Sequence, residues 1–177
     1  QALYIVLVTR GLGAEDFARY SALQALLLGL VPFSALGFPI LALRAVARDP
    51  GRRAAIWSAG LRVILILGGA GSLLVAFLAP GILKIGFPLL PLLLFAVSEL
   101  VFFGLVNLVN GVLQGEERLD RMARVLAGLS FARLAAVAAL YYGPGLNLPG
   151  FALAHFGGTL ICLLIALRAY GRGWAWP

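Results

Sequence analysis

The chain has 177 residues, of which 62% are hydrophobic and 12% charged, and its formal net charge is +7 at pH 7. Because about a quarter of the residues in a soluble domain are charged, this composition excludes an ordinary soluble protein and indicates a membrane protein. The basic charge does not require nucleic acid as a partner, since the arginines fall at the ends of apolar segments and there set the orientation of membrane helices. The single cysteine, Cys162, offers neither a disulfide nor a metal cluster.

Long uncharged segments predict an all-α fold. The runs Tyr20–Leu43 and Val63–Leu83 exceed the roughly 18 apolar residues that mark a membrane span, and they lack the alternation of a membrane β-barrel. We therefore predict a polytopic transmembrane helix bundle of about six helices, forming a single domain over residues 1–177. The predicted helices are at about 1–9, 17–46, 54–83, 87–115, 121–142 and 151–167.

Prolines and glycines divide the first half of the chain. The chain opens with Gln1 and not Met, so we expect the first helix to be the truncated second half of a span. A polar turn at 10–16 with two glycines separates it from the second helix. Pro32, Gly37 and Pro39 predict a kink in that helix. Three small residues in the third helix are expected to let another helix approach closely: Gly68, Gly69 and Gly71.

Basic residues are distributed unequally between alternate connections. One side has nine: Arg44, Arg48, Arg52, Arg53, Arg118, Arg121, Arg124, Arg168 and Arg172. The opposite side has three: Arg10, Arg19 and Lys84. The positive-inside rule then places the connections between helices 2 and 3 and between helices 4 and 5, with the C-terminal end, in the cytoplasm.

An acidic residue lies near the middle of the fourth predicted helix. Glu99 stands among leucines and phenylalanines, where a charged side chain costs at least ~2.5–3.5 kcal/mol, so it normally faces a bundle interior and has a partner. On a helical wheel at about 100° per residue, three amide side chains fall within about 80° of Glu99: Asn107, Asn110 and Gln114. This shared polar face predicts either a hydrated cavity or a dry polar contact between helices.

Three further ionisable residues lie inside predicted helices. Arg133 is twelve residues after Arg121, near the depth of Glu99, and is its predicted counter-ion. Arg62 either faces the interior or reaches the membrane surface by snorkelling. His155 is either a packing residue or a proton carrier. The candidate residues for a substrate cavity are therefore Glu99, Arg133, Arg62, Asn107, Asn110 and Gln114.

The sequence has no pattern typical of catalysis or of a bound cofactor. It contains no Cys/His metal spacing, no GxxxxGK[ST] phosphate loop and no plausible Ser/His/Asp set. We therefore expect no metal ion, no cofactor and no enzymatic chemistry.

A resemblance to a known family begins after the first predicted helix. The segment Thr9–Tyr20, TRGLGAEDFARY, followed by GFPILALRAVARDP, resembles the N-terminal part of polysaccharide repeat-unit flippases. These belong to the multidrug/oligosaccharidyl-lipid/polysaccharide exporter superfamily. Ala14 and Ala18 stand where that family usually has Pro and Gly. The matching residues are Arg10, Leu12, Gly13, Glu15, Phe17, Tyr20, Gly37, Arg44 and Arg48.

The resemblance implies that the chain is one lobe of a two-lobed transporter in the bacterial plasma (inner) membrane, and that the second lobe is missing from this chain. Such proteins move undecaprenyl-diphosphate-linked oligosaccharides across the lipid bilayer by alternating access, for the biosynthesis of cell-surface polysaccharide. Arginines at membrane depth would hold the diphosphate, and amides such as Asn107 and Asn110 would suit sugar hydroxyls.

Three other functions stay open at this point. Two belong to the same superfamily, a cation-coupled multidrug antiporter and a lipid II flippase. The third is of another class, a non-transporting membrane scaffold or anchor subunit in which Glu99 and Arg133 only fix the packing of helices.

Overall fold

The structure is a computed structural model that describes residues 2–83 and 88–171, apart from the side chains of residues 82 and 83. Four residues used in the predictions lie outside the described residues. Gln1 and Phe87 are the predicted first residues of two helices. Lys84 and Arg172 belong to the charge count.

Within the described ranges the chain is all-α and contains no β-strand. Four helical segments there are long and apolar enough to cross a membrane, and α1 with α2 gives a bent fifth. The prediction of an all-helical membrane bundle is therefore confirmed. The α-helices are α1 (Ala2–Ala35), α2 (Phe38–Arg48), α3 (Arg53–Leu83), α4 (Leu89–Val97), α5 (Phe103–Gly115), α6 (Leu119–Tyr142) and α7 (Leu148–Tyr170).

The predicted polar turn at 10–16 was wrong except at one residue. Helix α1 runs through this segment, and only Gly13 has a non-helical backbone, with φ 76° and ψ 173°. Leu12, directly before this glycine, is buried in the apolar core. Two helices, at residues 2–12 and 14–35, thus meet at one glycine that can adopt positive φ.

The predicted kink lies between α1 and α2, where the chain bends by about 40°. Leu36 and Gly37 both have positive φ, at 44° and 70°. Pro39 is in the first turn of α2, where its missing N–H interrupts no hydrogen bond within that helix. The break therefore turns one long apolar segment into two helices.

A π-helical turn at Ser98–Phe102 joins α4 to α5. The backbone N–H of Phe103 donates to the carbonyl of Ser98, five residues earlier. Such a turn holds more residues than an α-helical turn, so it rotates every later side chain relative to every earlier one. A helical wheel drawn at a constant angle is therefore not valid across Glu99.

Several glycines lie in close contacts between helices. A Cβ added at Gly68 would lie 2.7 Å from the carbonyl oxygen of Leu100, whereas one at Gly69 would meet nothing within 4 Å. A Cβ at Gly111 would collide with the carbonyl oxygen of Pro39, and one at Gly115 would lie 2.8 Å from that of Leu43. The predicted contact role is right for Gly68 and wrong for Gly69, and the closest approach joins α2 to α5.

The buried apolar side chains form two clusters. One surrounds α5 and includes Val101 and Cys162, while the other surrounds α4 and includes Leu100 and Phe151. Leu100 and Val101 are consecutive residues of the π-helical turn, so the boundary between the clusters passes through that turn. Glu99 lies beside this boundary and is only 2% exposed.

Candidate functional site

The predicted ion pair between Glu99 and Arg133 is present. Nη2 of Arg133 on α6 donates to Oε1 of Glu99 at 2.7 Å. The Glu99 side chain is 2% exposed and the Arg133 side chain 17%. Because the pair is largely withdrawn from solvent, each charge depends on the other for compensation.

His155 on α7 contacts the same carboxylate oxygen. Its Nε2 lies 2.5 Å from Oε1 of Glu99, and its Nδ1 lies 3.1 Å from the hydroxyl oxygen of Tyr4 on α1. An ionised carboxylate can only accept, so Nε2 carries the hydrogen in that state, and in the neutral imidazole Nδ1 then accepts from Tyr4. His155 is therefore part of the polar cluster, in addition to packing against the ring of Phe95.

Depth along the helices links His155 to Glu99 when it is measured from the helix starts in the structure; the predicted starts at 87 and 151 give depths of twelve and four residues and did not show the match. Glu99 is ten residues from Leu89 at the start of α4, and His155 is seven residues from Leu148 at the start of α7. At a rise of about 1.5 Å per residue, these depths differ by only about 4.5 Å.

Thr159 completes the cluster and was missed in the sequence. Its hydroxyl accepts from Nε of Arg133 at 3.0 Å and donates to the carbonyl of His155 at 2.7 Å. Gly158 allows this contact, because a Cβ there would lie 3.0 Å from Cα of Arg133. Thr159 had no charge to mark it, and only the close packing of α6 on α7 shows its role.

Arg133 also lines a cavity of about 540 Å³ between α1 and α6, which we call the arginine cavity. Its polar lining includes Tyr4, Tyr20, Gln24 and Ser130. Oε1 of Gln24 is buried and has no hydrogen-bond partner within the described chain. In that same part of the chain, Nη1 of Arg133 makes no hydrogen bond, so the guanidinium has one nitrogen available to a ligand.

The three predicted amides line a different cavity, of about 430 Å³, at the break between α1 and α2. We call it the amide cavity; its polar side chains are Asn107, Asn110 and Gln114. Glu99 lines neither of the two cavities, so the prediction of one face shared by Glu99 and the amides was wrong. The π-helical turn is the reason, because it rotates α5 relative to α4.

Arg62 lies away from both cavities. Its side chain is exposed on α3, and its Nε donates to the carbonyl of Ser58 at 3.3 Å. Ser58 is one turn closer to the start of α3, so the side chain extends towards the helix end, as a snorkelling arginine does.

A second polar cluster joins the ends of several helices. Nη1 of Arg53 lies 3.2 Å from Oε1 of Glu116, and the Arg53 guanidinium also donates to the carbonyl of Tyr170 and stacks on its ring. Arg121 donates to the carbonyl of Ala169 at 3.2 Å. Two arginines that entered the sequence analysis only as orienting charges thus hold the end of α7.

Comparison with known proteins supplies the family. The model of the family described as "Polysaccharide biosynthesis protein" matches residues 1–177, the whole of the chain. Searches of curated proteins and of solved structures found no match. The match covers every helix described above, including those that carry the buried polar cluster and both cavities. The chain is a membrane protein that belongs to the polysaccharide biosynthesis protein family.

Proposed function

We propose that this chain is a lobe of a flippase that moves undecaprenyl-diphosphate-linked oligosaccharide across the bacterial plasma membrane by alternating access, and that it is not an enzyme. Membership of the polysaccharide biosynthesis family and the span-like helices support a role in this pathway at the membrane. The substrate, the direction and the mechanism are the proposed part.

The observation that carries the proposal is the position of Arg133. Its guanidinium is fixed by Glu99 and Thr159 on one side and borders the arginine cavity on the other. An arginine suits a diphosphate because its planar donors form charge-assisted hydrogen bonds to phosphate oxygens. Glu99 neutralises part of this charge, so a bound diphosphate can also leave, as transport requires.

The proposal includes partners and an orientation. The partners are the lipid-linked oligosaccharide, the lipid bilayer and a second lobe of the same protein; nucleic acid is not among them. The α2–α3 and α5–α6 connections and the C-terminal end would lie in the cytoplasm, where positively charged loops are retained.

The test compares export of surface polysaccharide by cells whose full-length protein carries either Arg133→Gln or the control Arg124→Gln. Arg124 is 71% exposed and pairs with Asp120 at 2.6 Å, away from both cavities. Loss of a hydrogen bond to a charged group, worth about 1.5–3 kcal/mol, predicts that Arg133→Gln lowers export about 10- to 150-fold. The control should export normally.

Normal export by Arg133→Gln, at normal protein level, would contradict the proposal. A change in dye efflux without any change in surface polymer would indicate a multidrug antiporter. If the double variant Glu99→Leu/Arg133→Leu retained full function, the pair would only fix packing, as in a scaffold protein.

A further inference from the structure

The two cavities follow each other along the same two helices. On α1 the lining residues recur every three or four positions, which places them on one helix face: Tyr20, Gln24 and Leu28 line the arginine cavity, and Val31 and Ala35 line the amide cavity. On α6 the order is the same: Arg133 and Leu129 line the first cavity, and Leu126 and Met122 line the second. The cavities are thus consecutive parts of one groove, separated by about one helical turn.

The amide cavity differs chemically from the arginine cavity. Among the residues that the structure describes, no ionisable side chain lines it, and its polar side chains are three neutral amides. Asn110 is only 8% exposed, yet its Oδ1 has no hydrogen-bond partner within the described chain. A buried acceptor without a partner costs about 1–3 kcal/mol, and a ligand that donates a hydrogen bond would remove this cost.

The helix break contributes backbone to the same cavity. Ala35 is the last residue of α1, so its carbonyl lies at a helix C-terminus, where carbonyl groups have no donor within the helix, and Pro39 has no N–H. Both residues line the amide cavity. The rest of the lining is apolar and includes Ile40, Leu43 and Leu126. A ligand that fits therefore offers both hydrogen-bond donors and C–H groups.

We propose that the amide cavity is a subsite for the neutral sugars of the ligand, separate from the subsite for the diphosphate at Arg133; this inference rests on the proposed function. A prenyl chain would leave Asn110 without a donor, and a metal cation would find no carboxylate in the lining. Sugars supply both hydroxyl donors and apolar ring faces. The ligand lies along the groove, with its diphosphate at Arg133 and its sugars towards Met122.

The separation along α6 supports two subsites. Arg133 is seven residues from Leu126 and eleven from Met122, which corresponds to about 10 and 16 Å along the helix axis. The amide cavity thus receives a part of the ligand that is remote from the diphosphate.

The experiment measures dissociation constants of the detergent-solubilised full-length protein for two probes. One is undecaprenyl diphosphate without sugar, and the other is the undecaprenyl-diphosphate-linked repeat unit extracted from the producing cells. Asn110→Leu should weaken binding of the sugar-bearing lipid about 2- to 12-fold, the range for one net hydrogen bond, and leave binding of the sugar-free lipid unchanged. Gln114→Leu is the second variant; Gln114 is exposed, so its replacement does not endanger folding.

Arg133→Gln provides the comparison, because it should weaken binding of both lipids. If Asn110→Leu and Gln114→Leu weaken both lipids equally, a prenyl chain occupies the amide cavity and the inference fails. If neither Asn110→Leu nor Gln114→Leu changes the dissociation constant for either lipid, while Arg133→Gln weakens binding of both, this inference fails and the proposed function stands. If the wild-type protein binds neither lipid, the proposed function fails together with it.

Discussion

The buried ion pair permits a quantitative test by a double-mutant cycle. Arg133→Leu would leave the Glu99 carboxylate, only 2% exposed, without its cation, and Glu99→Leu would leave the guanidinium without its anion. Removing one partner of a buried pair costs about 3–5 kcal/mol. The two single variants together are therefore expected to lose about 6–10 kcal/mol of unfolding free energy.

The double variant should lose much less than this sum. Both charges are absent from it, and the remaining cost is that His155 and Thr159 each lose a partner, at about 1–3 kcal/mol for a buried polar group. At mid-range the two single losses sum to about 8 kcal/mol and the double variant loses about 4 kcal/mol, so the coupling energy between Glu99 and Arg133 should be about 4 kcal/mol, measured by denaturant unfolding of the four proteins in micelles.

The exposed pair Arg19 and Glu15 is the control for this cycle. Its atoms lie 2.5 Å apart on one helix, with side chains 36% and 80% exposed, so its coupling should be below about 1 kcal/mol. Additive losses for Glu99 and Arg133, within about 0.5 kcal/mol, would mean that the two side chains do not act as a pair and would refute the reasoning.

Two further predictions concern contacts between helices. Gly111→Ala should lower stability by about 1–3 kcal/mol, because its Cβ would collide with the Pro39 carbonyl. Gly69→Ala is the control, since its Cβ would meet nothing within 4 Å, and it should change stability by less than about 1 kcal/mol. Equal melting temperatures for the two variants would contradict this prediction. Arg53→Ala should lower the unfolding free energy by about 2–3 kcal/mol, since Glu116 and the end of α7 lose a charged partner. A decrease below about 0.5 kcal/mol, measured by thermal unfolding, would show that this cluster does not stabilise the bundle.

Apolar segment length and charge predicted more of the fold than of the site. The ends of α3, α6 and α7, the start of α4 and the end of α5 differ from the predicted bounds by at most three residues, because hydrophobic length and flanking arginines are local signals. The Glu99 and Arg133 pair was also predictable, since two opposite charges at equal depth in a membrane have few other partners.

The errors have specific physical causes. The wheel through Glu99 assumed one constant angle, and no residue type in SELVF indicates a π-helical turn. Arg62 was a candidate cavity residue with snorkelling as the open alternative, and its exposed side chain agrees with snorkelling. The sequence did not decide between the two, because which side of a uniformly apolar helix faces inward depends on neighbours that are distant in sequence. Thr159 joined the site only through the glycine contact between α6 and α7.

The angle of the bend between α1 and α2 affects the width of the groove. Helix α2 is held against α5 at Gly111 and Gly115, while residues 14–35 of α1 extend about 33 Å beyond the break and form one wall of both cavities. A change of 10° at Leu36 and Gly37 would move the far end of that wall by about 6 Å. Because this displacement grows with distance from the break, the bend changes the arginine cavity, lined by Tyr20 and Gln24, more than the amide cavity, lined by Val31 and Ala35.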